Sequence, residues 1–191
     1  MNKTEIRTHF LDKRANLSPS ARLKMDDLIL IKFQQSGIEI PSLIMTYSPI
    51  KKFNEYDPQL ITDYCYFKNP GQQLFYPVMV ESGKMPELIS VVVDDETIFE
   101  INKYGILEPV DGINMLPSEI DMVLVPLLCF DKKGYRVGYG KGYYDHFLKQ
   151  CRKDCIKIGF SYFEPVDQIL DLNKYDVKLN YCITPETIWQ F

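Results

Sequence analysis

The chain has 191 residues, 46% of them hydrophobic and 13% aromatic, which is enough to bury one core, and residues 1–191 read as a single domain. A formal net charge of −4 excludes a broad phosphate-tracking surface for nucleic acid, and no apolar run reaches the roughly 18 residues of a membrane span. Five cysteines without a Cys-x-x-Cys, and only His9 and His146, argue against a disulfide framework, a His-based zinc site or a Ser-His-Asp triad.

Met1 to Phe10 carries charges where a signal peptide would need an apolar stretch, so the expected location is the cytoplasm. Asn2 to Ala15 and Ser18 to Gln35 read as helices, the second opened by Ser18 with Pro19 behind it and closed before Gly37. Short apolar runs then recur: Ser42 to Ser48, Gln73 to Met79, Leu88 to Val93, Asp121 to Phe130, Ile156 to Tyr162 and Tyr181 to Thr184. Each reads as a strand, and several are apolar on both faces, as buried parallel strands are. Helical patterns at Pro58 to Phe67 and Gly142 to Arg152 fall between them. The alternation predicts an α/β fold, a Rossmann-like three-layer α/β/α sandwich around a mostly parallel sheet. LISVVVDDETIFEINKYG reads as a hairpin, which would make the sheet mixed.

The stretch Gly134 to Asp145, GYRVGYGKGYYD, follows the most apolar strand and precedes a helix. It fits neither the Walker nor the dinucleotide glycine pattern. Its glycines nevertheless permit positive φ and leave backbone N–H groups open to an anion, while Arg136 and Lys141 add charge. The other reading is a hairpin turn at Gly134 with tight packing elsewhere, and spacing alone leaves both open. Any metal here should have oxygen ligands, and Asp145 in the first helical turn is a candidate for Mg²⁺.

The run DMVLVPLLCFDKKGYRVGYGKGYYDHFL resembles the signature of the 5-formyltetrahydrofolate cyclo-ligase family, roughly D-h-h-h-h-P-x-x-A-F-D-x-x-G-x-R-h-G-x-G-x-G-Y-Y-D with h apolar. Asp121, Pro126, Phe130, Asp131, Gly134, Arg136, Gly138, Gly140, Gly142, Tyr143, Tyr144 and Asp145 match it; Cys129 stands where the pattern has Ala. Lys3 to Arg7, then Arg14 and LSPSAR, are similar to its N-terminal segment. Tyr47-Ser48-Pro49 with Glu55-Tyr56-Asp57 resembles the segment bearing a folate-contacting Glu, and YGILEP (Tyr104 to Pro109) resembles F-G-I-x-E-P. Glu164-Pro165 and Tyr175-Asp176 depart from the Gln and His common in the family.

The resemblance implies ATP-dependent closure of 5-formyltetrahydrofolate to 5,10-methenyltetrahydrofolate through a phosphorylated formyl oxygen, with Mg²⁺ as cofactor. It implies ATP contacts from Lys3, Thr4, Glu5, Ile6 and Arg7, and from Arg136, Val137, Gly138, Tyr139, Gly140, Lys141, Gly142, Tyr143 and Tyr144. Lys3 and Arg7, four apart, would share one helix face, although that spacing also suits an ordinary solvated face. Folate would meet Tyr47, Glu55, Tyr139, Gly140, Lys141, Gly142 and Tyr143, with the Glu55 carboxylate accepting from the donor edge of the pterin. Lys141, Arg136 and Tyr143 are the expected catalytic residues, and Asp145 with Asp176 the expected metal ligands. ATP and the folate are the expected partners of a monomer or weak homo-oligomer. Two other readings stay open: a non-catalytic folate or nucleotide binder on the same fold, motivated by the departures, and a phosphotransferase acting on another small amide.

Overall fold

The computed structural model describes residues 1–80 and 87–191, and counts below refer to those. α1 (Lys3–Ala15) starts in a capping box: the Asn2 side chain accepts from the Glu5 amide at 2.9 Å, and Glu5 accepts from the Asn2 amide at 2.9 Å. α2 (Pro19–Gln35) starts where Ser18 Oγ accepts from the Ala21 amide at 3.2 Å, with Pro19 at its first position. β1 (Leu43–Met45), α3 (Gln59–Lys68), β2 (Gln73–Val80), β3 (Glu87–Val93), β4 (Phe99–Ile101), β5 (Leu107–Pro109), β6 (Asn114–Met115), β7 (Met122–Val125), β8 (Cys129–Phe130), β9 (Arg136–Val137), α4 (Tyr143–Leu148), β10 (Ile156–Phe160), β11 (Tyr181–Ile183) and β12 (Ile188–Gln190) follow.

Eight strands form one sheet in the order β12-β11-β10-β7-β1-β2-β3-β6. The five from β11 to β2 run parallel, while β12 at one edge and β3 and β6 at the other are antiparallel. Alternation along each strand divides the core. Ile44, Met122, Leu124, Ile158, Phe160 and Ile183 face α2 and α3 through Ile29, Phe33, Ile61 and Cys65. Met45, Val123, Val125 and Cys182 join Phe147 and Leu148 of α4 on the opposite face. Burying each such side chain contributes about 1.5–3 kcal/mol, so a slip of one residue, which would swap the faces, is strongly disfavoured. The result is the expected three-layer α/β/α arrangement around a mixed, mostly parallel sheet. No helix among the described residues is long and apolar enough to cross a membrane.

Three local expectations are corrected. Asp121 to Phe130 is not one strand: β7 stops before Pro126, which has no amide to donate, and β8 pairs with β9 in a separate hairpin. LISVVVDDETIFEINKYG is not a hairpin. Asp94 accepts from Thr97 Oγ1 and the Glu96 amide, turning the chain off the sheet, so β3 pairs with β2 and β6 while β4 pairs with β5. The last helix ends at Leu148 and not Arg152.

β1 lies between β2 and β7, so the chain leaves it to one side through α3 and returns on the other. Ligands of open α/β sheets bind at such a reversal, beyond the carboxyl ends of the strands. α1, with Ile6 and Phe10 packed on Leu128, Cys129 and Val137, closes that end.

Candidate active site

A cavity of about 940 Å³ opens at this reversal. Its walls come from Tyr47 and Ser48 after β1, Pro77 and Met79 of β2, Pro126 after β7, Lys3 and Arg7 of α1, and the loop between β9 and α4. Lys3, Arg7, Lys52, Arg136, Lys141 and Lys149 line it against Glu55, Glu108, Asp145 and Asp176. A chain of net charge −4 thus concentrates an excess of positive charge on one concavity, which favours an anionic ligand.

The glycine loop is fastened to α1. Arg7 Nε donates to the Gly138 carbonyl at 3.0 Å, and a Cβ on Gly140, whose φ is 91°, would meet the Arg7 guanidinium carbon at 3.0 Å. Only glycine allows both that backbone conformation and that approach. Gly142, at φ 79°, opens α4, whose first turn carries Asp145. Asp145 Oδ1 accepts from the Val177 amide at 3.0 Å and lies 3.2 Å from Arg136 Nη1; Arg136 also donates to the Val177 carbonyl at 3.0 Å. Burial lowers the Arg136 pKa, while the neighbouring Asp145 opposes that by favouring the charged guanidinium. Lys3 Nζ is 2.6 and 2.7 Å from the two oxygens of Asp176. Lys141 is exposed and makes no hydrogen bond or ion pair among the described residues. Gly134 stands apart, in the β8–β9 turn, so the hairpin reading of that one glycine is the correct one.

Of the side chains expected to meet folate, Tyr47, Glu55 and Tyr139 gather at the cavity's inner wall. A 3₁₀ turn, Lys51–Phe53, ends in Asn54 with φ 46°, and this turn delivers Glu55 inward. Glu55 is only 6% exposed; Oε2 accepts from the Ile50 amide at 2.8 Å and Oε1 from the Tyr139 hydroxyl at 2.9 Å. Burial pushes its pKa up, opposed by the Ile50 amide, the Arg14 charge and the Tyr139 hydrogen bond. Tyr47 is buried and donates to the Tyr56 carbonyl at 3.1 Å. Tyr143 lines the opening, and beside it the Tyr144 hydroxyl is buried without a hydrogen-bond partner among the described residues.

Not every expected residue comes to this place. Thr4 and Glu5 face away, along a shallow groove with Thr8, His9 and Asp12, and Glu5 is used by the helix cap. Ile6 is core. These three follow Lys3 in sequence but not in space, because a helix turns each successive side chain by a large angle. The sequence pattern gives no role to Phe53, whose ring stacks on Tyr139 at 5.5 Å, or to Tyr104, Ile106 and Glu108 of the YGILEP stretch, which line the cavity. Nor does it give one to Arg14. Its signal was present: Ile6, Phe10 and Arg14 are four apart, which puts a charge on an apolar stripe.

The departures separate as well. Glu164 accepts from Thr184 Oγ1 and from Trp189 Nε1 and lies outside the cavity lining; Tyr175 sits at the rim, with Lys149 Nζ 4.5 Å from its ring centre.

A mostly parallel α/β sheet with a cation-lined cavity at its strand reversal is the layout of a protein that binds a small anionic ligand. Comparison with known proteins narrows this. A model of the 5-formyltetrahydrofolate cyclo-ligase family matches residues 1–185. The 5-formyltetrahydrofolate cyclo-ligase of Mycoplasma pneumoniae is 32% identical over 189 residues, covering 97% of this chain and all of the relative. Among solved structures, the 5,10-methenyltetrahydrofolate synthetase of Aquifex aeolicus superposes with a TM-score of 0.79 at 28% identity, over all of this chain and 93% of that one. The 5,10-methenyltetrahydrofolate synthetase of Mycoplasma pneumoniae superposes with a TM-score of 0.74 at 26% identity, over 97% of this chain and 99% of that one. The chain belongs to the 5-formyltetrahydrofolate cyclo-ligase family and is an enzyme.

Proposed function

We propose that this chain converts 5-formyltetrahydrofolate and ATP into 5,10-methenyltetrahydrofolate, ADP and phosphate, through a formyl oxygen phosphorylated in the cavity. The observation that carries the proposal is the meeting, in one cavity, of a glycine loop ringed by Lys3, Arg7, Arg136 and Lys141 with the buried acceptor Glu55.

The formyl group on nitrogen 5 is an amide, and its oxygen is a poor leaving group. Transfer of the γ-phosphoryl group to that oxygen releases ADP and leaves an iminium-like carbon. Nitrogen 10 attacks this carbon and loses its proton, and phosphate departs with the C–O electron pair, closing the ring. No protein nucleophile is needed. The chain has to align two substrates and neutralise phosphate charge, and these dominate phosphoryl transfer. Loop amides and Lys141 are suited to the γ-phosphoryl group, Lys3 and Arg7 to the rest of the polyphosphate, and Glu55 with Tyr139 and Tyr47 to the pterin. Tyr143, beside Lys141, is placed to meet the formyl end.

Asp145 and Asp176 would hold Mg²⁺, since two carboxylates completed by phosphate oxygens and water suit that ion; bound there, it would offset charge on the phosphates. Among the described residues no cluster of three or more His, Cys, Asp or Glu forms a cage that would serve without the nucleotide. Asp145 makes its bonds through Oδ1, whereas both oxygens of Asp176 are taken by Lys3, so Asp145 is the stronger candidate. Of the two departures behind the binder reading, Glu164 is held by Thr184 and Trp189 away from the cavity, and only Tyr175 lines its rim. The five cysteines are unpaired, in keeping with a reducing cytoplasm, and the enzyme is proposed to act there as a monomer or weak homo-oligomer.

The test is direct. Purified protein given 5-formyltetrahydrofolate, ATP and Mg²⁺ should form the methenyl product, whose conjugated amidinium absorbs at longer wavelength than the substrate. EDTA should stop the reaction, and Asp145→Asn should lower turnover by about 10²-fold or more. Binding of both ligands without product would establish the binder instead. Product without ATP would remove the phosphorylated intermediate.

A further inference from the structure

Arg14 is a guanidinium with 1% exposure, and the reaction described above gives it no task. A buried charge is tolerated only where fixed partners replace water. Its partners are informative. Nη2 donates to the Leu127 carbonyl, and Nη1 donates at 3.2 Å to the Tyr139 hydroxyl, which in turn donates to Glu55 Oε1 at 2.9 Å. The Arg14 carbonyl accepts from Asn54 Nδ2 at 3.0 Å, so the same residue also grips the turn that delivers Glu55. Tyr139 cannot easily turn away, because its ring is stacked on Phe53 with 21° between planes.

We propose that Arg14 is a positioning residue for folate recognition, holding the Glu55 carboxylate charged and fixing, through the Tyr139 hydroxyl, the oxygens it presents to the pterin. This rests on the reading of Glu55 as the pterin acceptor. The groups that face Glu55 are Arg14 from α1, Tyr139 from the glycine loop, Tyr47 from beyond β1 and Tyr144 from α4. Of these only Arg14 brings positive charge. Without it, only the Ile50 amide and the Tyr139 hydroxyl would remain to favour the carboxylate against the effect of burial.

The sign follows. A carboxylate whose pKa is raised is protonated first as pH falls, and protonated Glu55 loses its full capacity as an acceptor. Folate affinity is therefore present above that pKa and declines as pH drops through it. Removing the Arg14 charge raises the pKa further, so the decline begins at higher pH.

The experiment measures initial rates across roughly pH 5 to pH 9, varying the folate at saturating ATP and ATP at saturating folate, with folding checked by circular dichroism. Arg14→Met should raise KM for 5-formyltetrahydrofolate about tenfold near neutral pH, with a smaller change in kcat, and should move the KM midpoint upward in pH. Arg14→Lys should restore most of the midpoint but less of KM, because an ammonium keeps the charge without the planar fork. Tyr139→Phe should raise KM with a smaller midpoint shift. Glu55→Gln should remove the pH step, and adding Arg14→Met to it should produce no further change in the pH profile.

A folded Arg14→Met with wild-type KM and midpoint overturns the proposal. Equal losses for ATP and folate without a midpoint shift also overturn it, since that is the mark of a merely structural residue. If Arg14→Met does not fold, wild-type values in both Arg14→Lys and Tyr139→Phe overturn it. Wild-type folate KM in Glu55→Gln refutes the pterin-acceptor reading itself, a result separable from the others.

Discussion

Lys141 differs from Lys3, Arg7 and Arg136, the other cations around the glycine loop, in what it does for the ligand-free protein. Lys3 is held by Asp176, Arg136 by Asp145 and the Val177 carbonyl, and Arg7 by the Gly138 carbonyl. Lys141 is exposed and makes no such bond among the described residues, so folding gains little from it. Lys141→Ala should therefore leave the thermal midpoint within the small range of ordinary surface changes. Turnover is another matter: in the proposed reaction Lys141 faces the transferring phosphoryl group and acts mainly in the transition state, and its loss should lower kcat by about 10²-fold or more. Steady-state rates beside a melting curve check both halves. Unchanged turnover would remove Lys141 from the catalytic set.

At the level of elements, α1 contributes more than a cover. Its apolar stripe through Ile6 and Phe10 packs on the β8–β9 hairpin, and one turn-spaced pair, Lys3 and Arg7, is left facing the cavity. Replacing both by Ala should raise the apparent Kd for ATP by about tenfold or more, because charge-assisted contacts to phosphate are lost, with a much smaller effect on folate. Calorimetric titration with each ligand separates this from general unfolding, which would weaken both. The same helix marks how far the sequence could be read. Ser18 and Pro19 announced the start of α2 because their chemistry is local, and the glycine loop was legible because positive φ and open amides are written in residue type. Pairing partners were not. That β3 turns to β2 and not to β4 depends on which distant edge is available. Nor could spacing show that the charge of Arg14 would be spent on Tyr139 and the Leu127 carbonyl, contacts 125 and 113 residues distant in sequence.

For the whole molecule, the decisive feature is the contrast between an acidic chain and a cavity where six lysines and arginines outnumber four carboxylates. Both proposed substrates are anions, so the surface as a whole repels them while the cavity attracts them. Salt should affect these two influences unequally. The long-range repulsion from exposed carboxylates is screened early, because the Debye length is already about 10 Å at 0.1 M ionic strength. The attraction inside the cavity, between partly desolvated charges at short range, persists longer but weakens steadily as phosphate contacts compete with anions of the salt. The expected outcome is that raising ionic strength from about 0.1 to 0.5 M increases KM for ATP severalfold, with kcat changing much less, because bound phosphates are shielded by the loop and α1. In the Lys3→Ala, Arg7→Ala double variant the dependence should flatten, since two of the charges that generate it are gone. Measuring KM for ATP against ionic strength in both proteins decides the point. An equally steep dependence in the double variant would mean that the field arises from Arg136, Lys141 and the loop amides alone, and would remove α1 from the nucleotide site.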